Sequence, residues 1–169
     1  MRFITNQEDA ELALHFLHKA ESMAQKSKCL QAKCGAVIEY KRDIIGQGFN
    51  HPANEANRRC HLKKSDYHPK VTDNTCCIHA EQEAITDALT YGHIKKLAHS
   101  RLYFARIDNV NADIQYSKGE PFCTLCSKMA LRFKIPEWVL LQEDGIALYD
   151  SIEYDRLSAA YGKPRNLNR

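Results

Sequence analysis

The chain has 169 residues, 44% of them hydrophobic, which is enough to bury one core of ordinary size and not two, so a single domain over 1–169 is expected. Its 24 basic and 21 acidic residues leave a net charge of +3 with no long block of either sign, a bias too weak to point to nucleic acid as a partner. The opening "MRFITNQEDAELALHFLHKA" breaks its apolar positions with charges, so it does not read as a secretion signal, and no stretch has the length and apolarity of a membrane span. A cytoplasmic protein is expected.

In chain order, residues 7 to 27 place Ala10, Ala13, Leu14, Phe16, Leu17, Ala20 and Met23 at helical spacing behind a capping Asn6, which predicts an amphipathic helix. The segment "CGAVIEYKRDIIGQGFN" has two apolar runs separated by Lys41-Arg42-Asp43, the pattern of a hairpin. Residues 51 to 75 are polar and irregular and predict a long loop, a feature that in a compact domain is functional or held by something. Helical spacing returns from His79 to about Leu89, Arg101 to Arg106 predicts a strand, and 107 to 120 a second polar loop. A third helix is expected after Pro121, a strand over 137 to 142, then a short strand or turn followed by a closing helix. The tail from about 163 is expected to be mobile. Helices alternating with strands predict an α/β domain, and no repeat or low-complexity tract is present.

Seven cysteines in a reducing compartment are metal ligands or nucleophiles more often than disulfides. The stretch "TCCIHAEQEAITDA" opens the second helix with His79 and Glu81, and "PFCTLC" follows with Cys123 and Cys126 three positions apart at the start of the third. Two thiolates on one helical turn face the same side, and the helix N-terminus favours their charge. With His79 as third ligand they make a zinc site whose fourth position stays open to water, the arrangement of a catalytic rather than a structural zinc. Glu81, two positions after the histidine, is placed to take a proton from that water and return it to a leaving group. The order H-x-E then P-C-x-x-C is the signature of zinc-dependent nucleobase deaminases.

On these residues the chain resembles the cytidine and deoxycytidylate deaminase superfamily, and more closely the deoxycytidylate branch, from about residue 9 to about 142. Besides "HAEQEAI" and "CTLC", the likeness rests on "SKC" at 27 to 29, "GAVI" at 35 to 38, "GFN" at 48 to 50 and a cysteine-bearing loop before the histidine. It implies a three-layer α/β/α sandwich around a mixed sheet of about five strands, hydrolytic deamination of a cytosine-type nucleotide or nucleoside with dCMP favoured, and a homo-oligomer. It also implies substrate contacts at Asn50, whose family counterpart touches the sugar, and at Ala80. A second, structural zinc held by Cys29, Cys60, His68 and Cys77 is a further implication, with Cys76, His61 and Cys34 as competing ligands. Two departures adjoin the site: Phe122 separates Pro121 from Cys123, and the 107 to 120 segment is long. Deaminases of other bases or of tRNA or single-stranded nucleic acid share the metal-binding half, and a non-catalytic zinc module is the remaining alternative, against which Glu81 stands.

Overall fold

The structure, a computed structural model, describes residues 1–30, 32–54, 77–108 and 121–161. Its elements are β1 (Arg2–Phe3), α1 (Gln7–Gln25), β2 (Ala32–Tyr40), β3 (Asp43–Phe49), β4 (His51–Pro52), β5 (Cys77–Ile78), α2 (Ala80–Thr90), α3 (Ile94–Leu97), β6 (Arg101–Asp108), α4 (Thr124–Arg132), β7 (Glu137–Gln142), β8 (Gly145–Asp150) and α5 (Ser151–Ala160). The tail from about 163 lies outside the described residues.

Strands with apolar residues at every position need cover on both faces, and here they have it. Val37 of β2, Tyr103 of β6, Val139 of β7 and Leu148 of β8 point to one side, where they pack with Ala13, Phe16, Leu17 and Ala20 of α1. Their neighbours Ala36, Ile38, Leu102, Trp138, Leu140, Ala147 and Tyr149 point to the other, against α2, α4 and α5. Burying a side chain such as Leu102 or Ile38 contributes roughly 1.5–3 kcal/mol, so the alternation itself holds the three layers together. The sheet order is β1-β8-β7-β6-β2-β3, and β6 with β7 is its parallel pair.

The expected α/β/α sandwich is what the structure shows, with six strands in the central sheet rather than about five. The additional strand is β1, which pairs Arg2 with Leu148 and Phe3 with Ala147. Two residues carry no periodicity, so this pairing left no pattern to read. Asn6 caps α1 as expected, accepting from the Asp9 N–H at 3.0 Å, but the helix ends two residues before the predicted 27. The β2–β3 turn places Lys41 and Arg42 at φ 53° and 71° without a glycine, and the Glu39 carboxylate accepts the Arg42 N–H at 2.7 Å, offsetting part of the left-handed cost.

Two glycines set how closely the helices approach. A Cβ on Gly35 would lie 2.0 Å from the Ala20 carbonyl oxygen, and one on Gly48 would lie 2.5 Å from the Ala80 carbonyl oxygen and the Ala84 nitrogen. Gly48 thereby seats the first turn of α2 directly on β3, which is where the chemistry of the sequence is concentrated.

Candidate active site

Two helix N-termini meet beside the sheet. His79 is the N-cap of α2 and Cys123 the N-cap of α4, both with extended backbone (ψ 152° and 107°). The His79 N–H donates to Gln82 Oε1 at 3.2 Å, tying the ring-bearing residue to the helix it opens. Cys126 follows one turn into α4 and is fully buried. The positive ends of both helices therefore face the same spot, which favours thiolate and carboxylate groups there.

His79 Nδ1 lies 3.2 Å from Cys123 Sγ and 3.3 Å from Cys126 Sγ. In a tetrahedral zinc site the nitrogen-to-sulfur edge is about 3.6 Å, from zinc bonds near 2.1 and 2.3 Å. One borderline nitrogen and two soft sulfurs at this spacing fit zinc, and slight expansion would admit the ion. Among the described residues this is the one cluster of three or more metal-capable side chains, with ligand atoms within 4.8 Å of one another. The contact between the two sulfurs lowers Cys123, against the effect of burial and with help from His79, and the same contact, followed by burial, pushes the Cys126 thiol up.

Glu81 is the second residue of α2 and is 5% exposed. Burial raises its carboxyl above the ordinary carboxylate range, and His79 opposes that shift. Glu81 is thus a buried carboxyl beside the three-residue cluster rather than a surface glutamate, the kind of group whose shifted ionisation suits proton transfer.

Asn50 is a hub. Its side-chain oxygen accepts the Cys34 N–H at 2.7 Å and its amide donates to the Ala32 carbonyl at 3.0 Å. Its main chain donates to the Cys34 carbonyl and accepts the Ser27 hydroxyl at 2.7 Å. The residue locks the end of β3 onto the start of β2, and the one bond its amide donates uses one of two hydrogens. Ala80 is fully buried in the core beneath Gly48, so it holds α2 in place by packing. Next to Asn50, His51 reaches Glu83 of α2 at 3.4 Å, a contact that the loop reading of 51 to 75 did not foresee.

Cys29 and Cys77 are both partly buried. The Cys29 N–H donates to Ser27 Oγ, whose hydroxyl is bound to Asn50, and Cys77 pairs with Pro52 in the short β4–β5 ladder, so both belong to the region around Asn50. Cys60, His68, Cys76 and His61 lie outside the described residues. Cys34 is partly buried against the core, as a small hydrophobe would be. A cavity of about 740 Å³ lies elsewhere, lined by Glu39, Arg101, Glu137 and Asp150 among others, and takes in none of these site residues.

The profile described as "Cytidine and deoxycytidylate deaminase zinc-binding region" matches residues 10–142, most of the chain and both halves of the metal cluster. The chain belongs to this family. It is accordingly a hydrolytic deaminase, and its His79, Cys123 and Cys126 fit the catalytic zinc of that family. Comparison with curated proteins gives no match. Among solved structures, the apo dCMP deaminase of cyanophage S-TIM5 superposes with a TM-score of 0.52 at 20% identity, covering 76% of this chain and 80% of that one. The same phage enzyme in complex with dCMP and dUMP gives 0.51 at 19% identity, covering 80% and 82%. Cytidine deaminase from Mycobacterium leprae gives 0.44 at 14%, covering 79% and 90%. At these identities the phage enzyme establishes the fold of this deaminase, which agrees with the layers described above. No helix among the described residues is long and apolar enough to cross a membrane.

Proposed function

We propose that this deaminase converts dCMP to dUMP with release of ammonia, using zinc held by His79, Cys123 and Cys126 and Glu81 as the proton carrier. The observation that carries this reading is the clustering of His79, Cys123 and Cys126 with a buried Glu81 carboxyl two residues beyond His79 on the same helix start. The "SKC", "GAVI" and "GFN" segments favour the deoxycytidylate branch, and the cyanophage fold neighbour was solved with dCMP and dUMP, the substrate and product this reading requires.

Zinc, when bound, activates water as a nucleophile near neutral pH. Glu81 accepts one proton from this water and delivers it to the ring nitrogen of the cytosine, then takes the second from the hydroxyl added to the ring and passes it to the departing amino group. One C–O bond forms, one C–N bond breaks, and ammonia leaves. Asn50 holds the sugar end of the substrate with its remaining amide hydrogen, its main chain fixed by two hydrogen bonds and its side chain by two more. Ala80 keeps His79 and Glu81 in register by packing under Gly48. The same reading takes 1–169 as one deaminase domain that assembles with copies of itself.

Ammonia release measured on dCMP, CMP, deoxycytidine, cytosine, guanine and adenosine tests the substrate. Turnover is expected with dCMP foremost, and preference for a purine would overturn the choice of base while leaving the metal site intact.

The second zinc belongs to this proposal as well. If Cys29, Cys60, His68 and Cys77 close a structural site, metal-replete protein carries about two zinc ions per chain, one open and one closed site. Cys77→Ser is expected to lower this to about one and to reduce stability, because metal binding at a loop without its own core is also folding energy. Cys76→Ser is expected to change neither, and a single zinc per chain in the parent would remove the second site.

A further inference from the structure

We propose that Ser27, which opens the "SKC" segment after α1, is a positioning residue for the substrate's sugar: its hydroxyl holds the Asn50 carbonyl and so fixes the residue that meets the sugar. This rests on the dCMP reading proposed above and on the place of Asn50 in it. It extends that site to the helix on the opposite face of the sheet from the metal cluster.

Asn50 is tied down by two different elements. Its main-chain N–H, its side-chain oxygen and its side-chain amide all bond to β2, at Cys34 and Ala32. Its carbonyl turns to another partner, the Ser27 hydroxyl at 2.7 Å, in the turn that follows α1. Ser27 is 2% exposed and Asn50 8%, so water has little access to this bond. The direction of the hydroxyl is determined as well. Ser27 Oγ accepts the Cys29 N–H at 3.2 Å, and a carbonyl can only accept, so the one hydroxyl hydrogen is committed to Asn50.

Ser27 can hold Asn50 because it is itself anchored. Its N–H donates to the Ala24 carbonyl at 3.0 Å, in the last turn of α1. That turn lies directly on β2, where a Cβ on Gly35 would fall 2.4 Å from the Ala24 nitrogen, and Ala24 is fully buried. The contacts therefore run from Gly35 through Ala24 and Ser27 to Asn50 and back to β2, closing a loop around the start of that strand. The Asn50 carbonyl and side-chain amide share one Cα, so a shift at the carbonyl carries the amide with it, and small misplacements of a group that binds substrate are costly.

The test is steady-state deamination of dCMP by the zinc-replete full chain, with dUMP binding measured by calorimetry and the unfolding midpoint recorded alongside. Ser27→Ala removes the hydroxyl and is expected to raise the KM for dCMP and the Kd for dUMP about tenfold, the worth of one lost hydrogen bond, with kcat and zinc content close to the parent's. Ser27→Cys fills the same space with a weaker donor and is expected to shift both constants in the same direction by less. Ser100→Ala loses another buried hydroxyl, which donates to the Leu97 carbonyl at 2.8 Å just before β6, at the end of that strand away from Asn50. It is expected to lower the unfolding midpoint and leave KM unchanged. In an Asn50→Ala background, Ser27→Ala is expected to raise KM no further, because the group it positions is gone. Parent-like KM and Kd in the Ser27 variants, an equal rise in Ser100→Ala, or an undiminished rise in the Asn50→Ala background would overturn the assignment while leaving the deaminase reading standing. A parent chain that neither turns over dCMP nor binds dUMP would overturn both.

Discussion

Glu81→Gln is expected to keep its zinc and to lose deamination by about 10⁴-fold, the upper range for removing a positioned general acid–base group. The substitution keeps the size of the side chain and its ability to hydrogen-bond, so α2 should stay seated on β3 under Gly48. What it removes is the capacity to accept a proton. Glu81 is not one of the three donors, whose atoms lie within 4.8 Å of one another without it, so metal content should not follow activity. Zinc analysis and ammonia release on the same preparation separate the two effects, and near-normal turnover would show that the proton travels by another group.

Replacing either cysteine ligand should do the opposite and remove metal and activity together. Cys123→Ala or Cys126→Ala leaves one imidazole and one thiolate, which hold zinc poorly. The two variants should differ in stability. Cys126 is fully buried among core residues including Ala80 and Ala130, so its loss leaves a small cavity, whereas Cys123 is only partly buried. Zinc measured after dialysis against a chelator should be absent from both, and full catalytic-site occupancy in either would mean that the ligands are wrongly assigned.

The metal site was legible in the sequence because it is built from local spacings: Cys123 and Cys126 lie one helical turn apart, and His79 and Glu81 open another helix. The meeting of the two helices is not local. It depends on β3, β2 and β6 placing α2 beside α4, which the H-x-E and C-x-x-C order implies only through the family resemblance. The hairpin was visible as two apolar runs although its turn has no glycine, since Lys41 and Arg42 take left-handed backbone held from Glu39. Strand β1 and the β4–β5 ladder were missed because two residues have no period, and α3 because four have barely one turn. Asn50 drew notice through the family resemblance as a sugar contact, but its role in joining β2 to β3 requires knowing which carbonyl and which N–H lie opposite it.

The most direct test is the release of ammonia from dCMP by one preparation, assayed as purified, after zinc is stripped by a chelator, and after zinc is returned. Turnover that disappears with the metal and returns with it, with dUMP formed in step with ammonia, is the predicted result. Zinc-replete protein that leaves dCMP unchanged, or deamination that persists undiminished without metal, would contradict it.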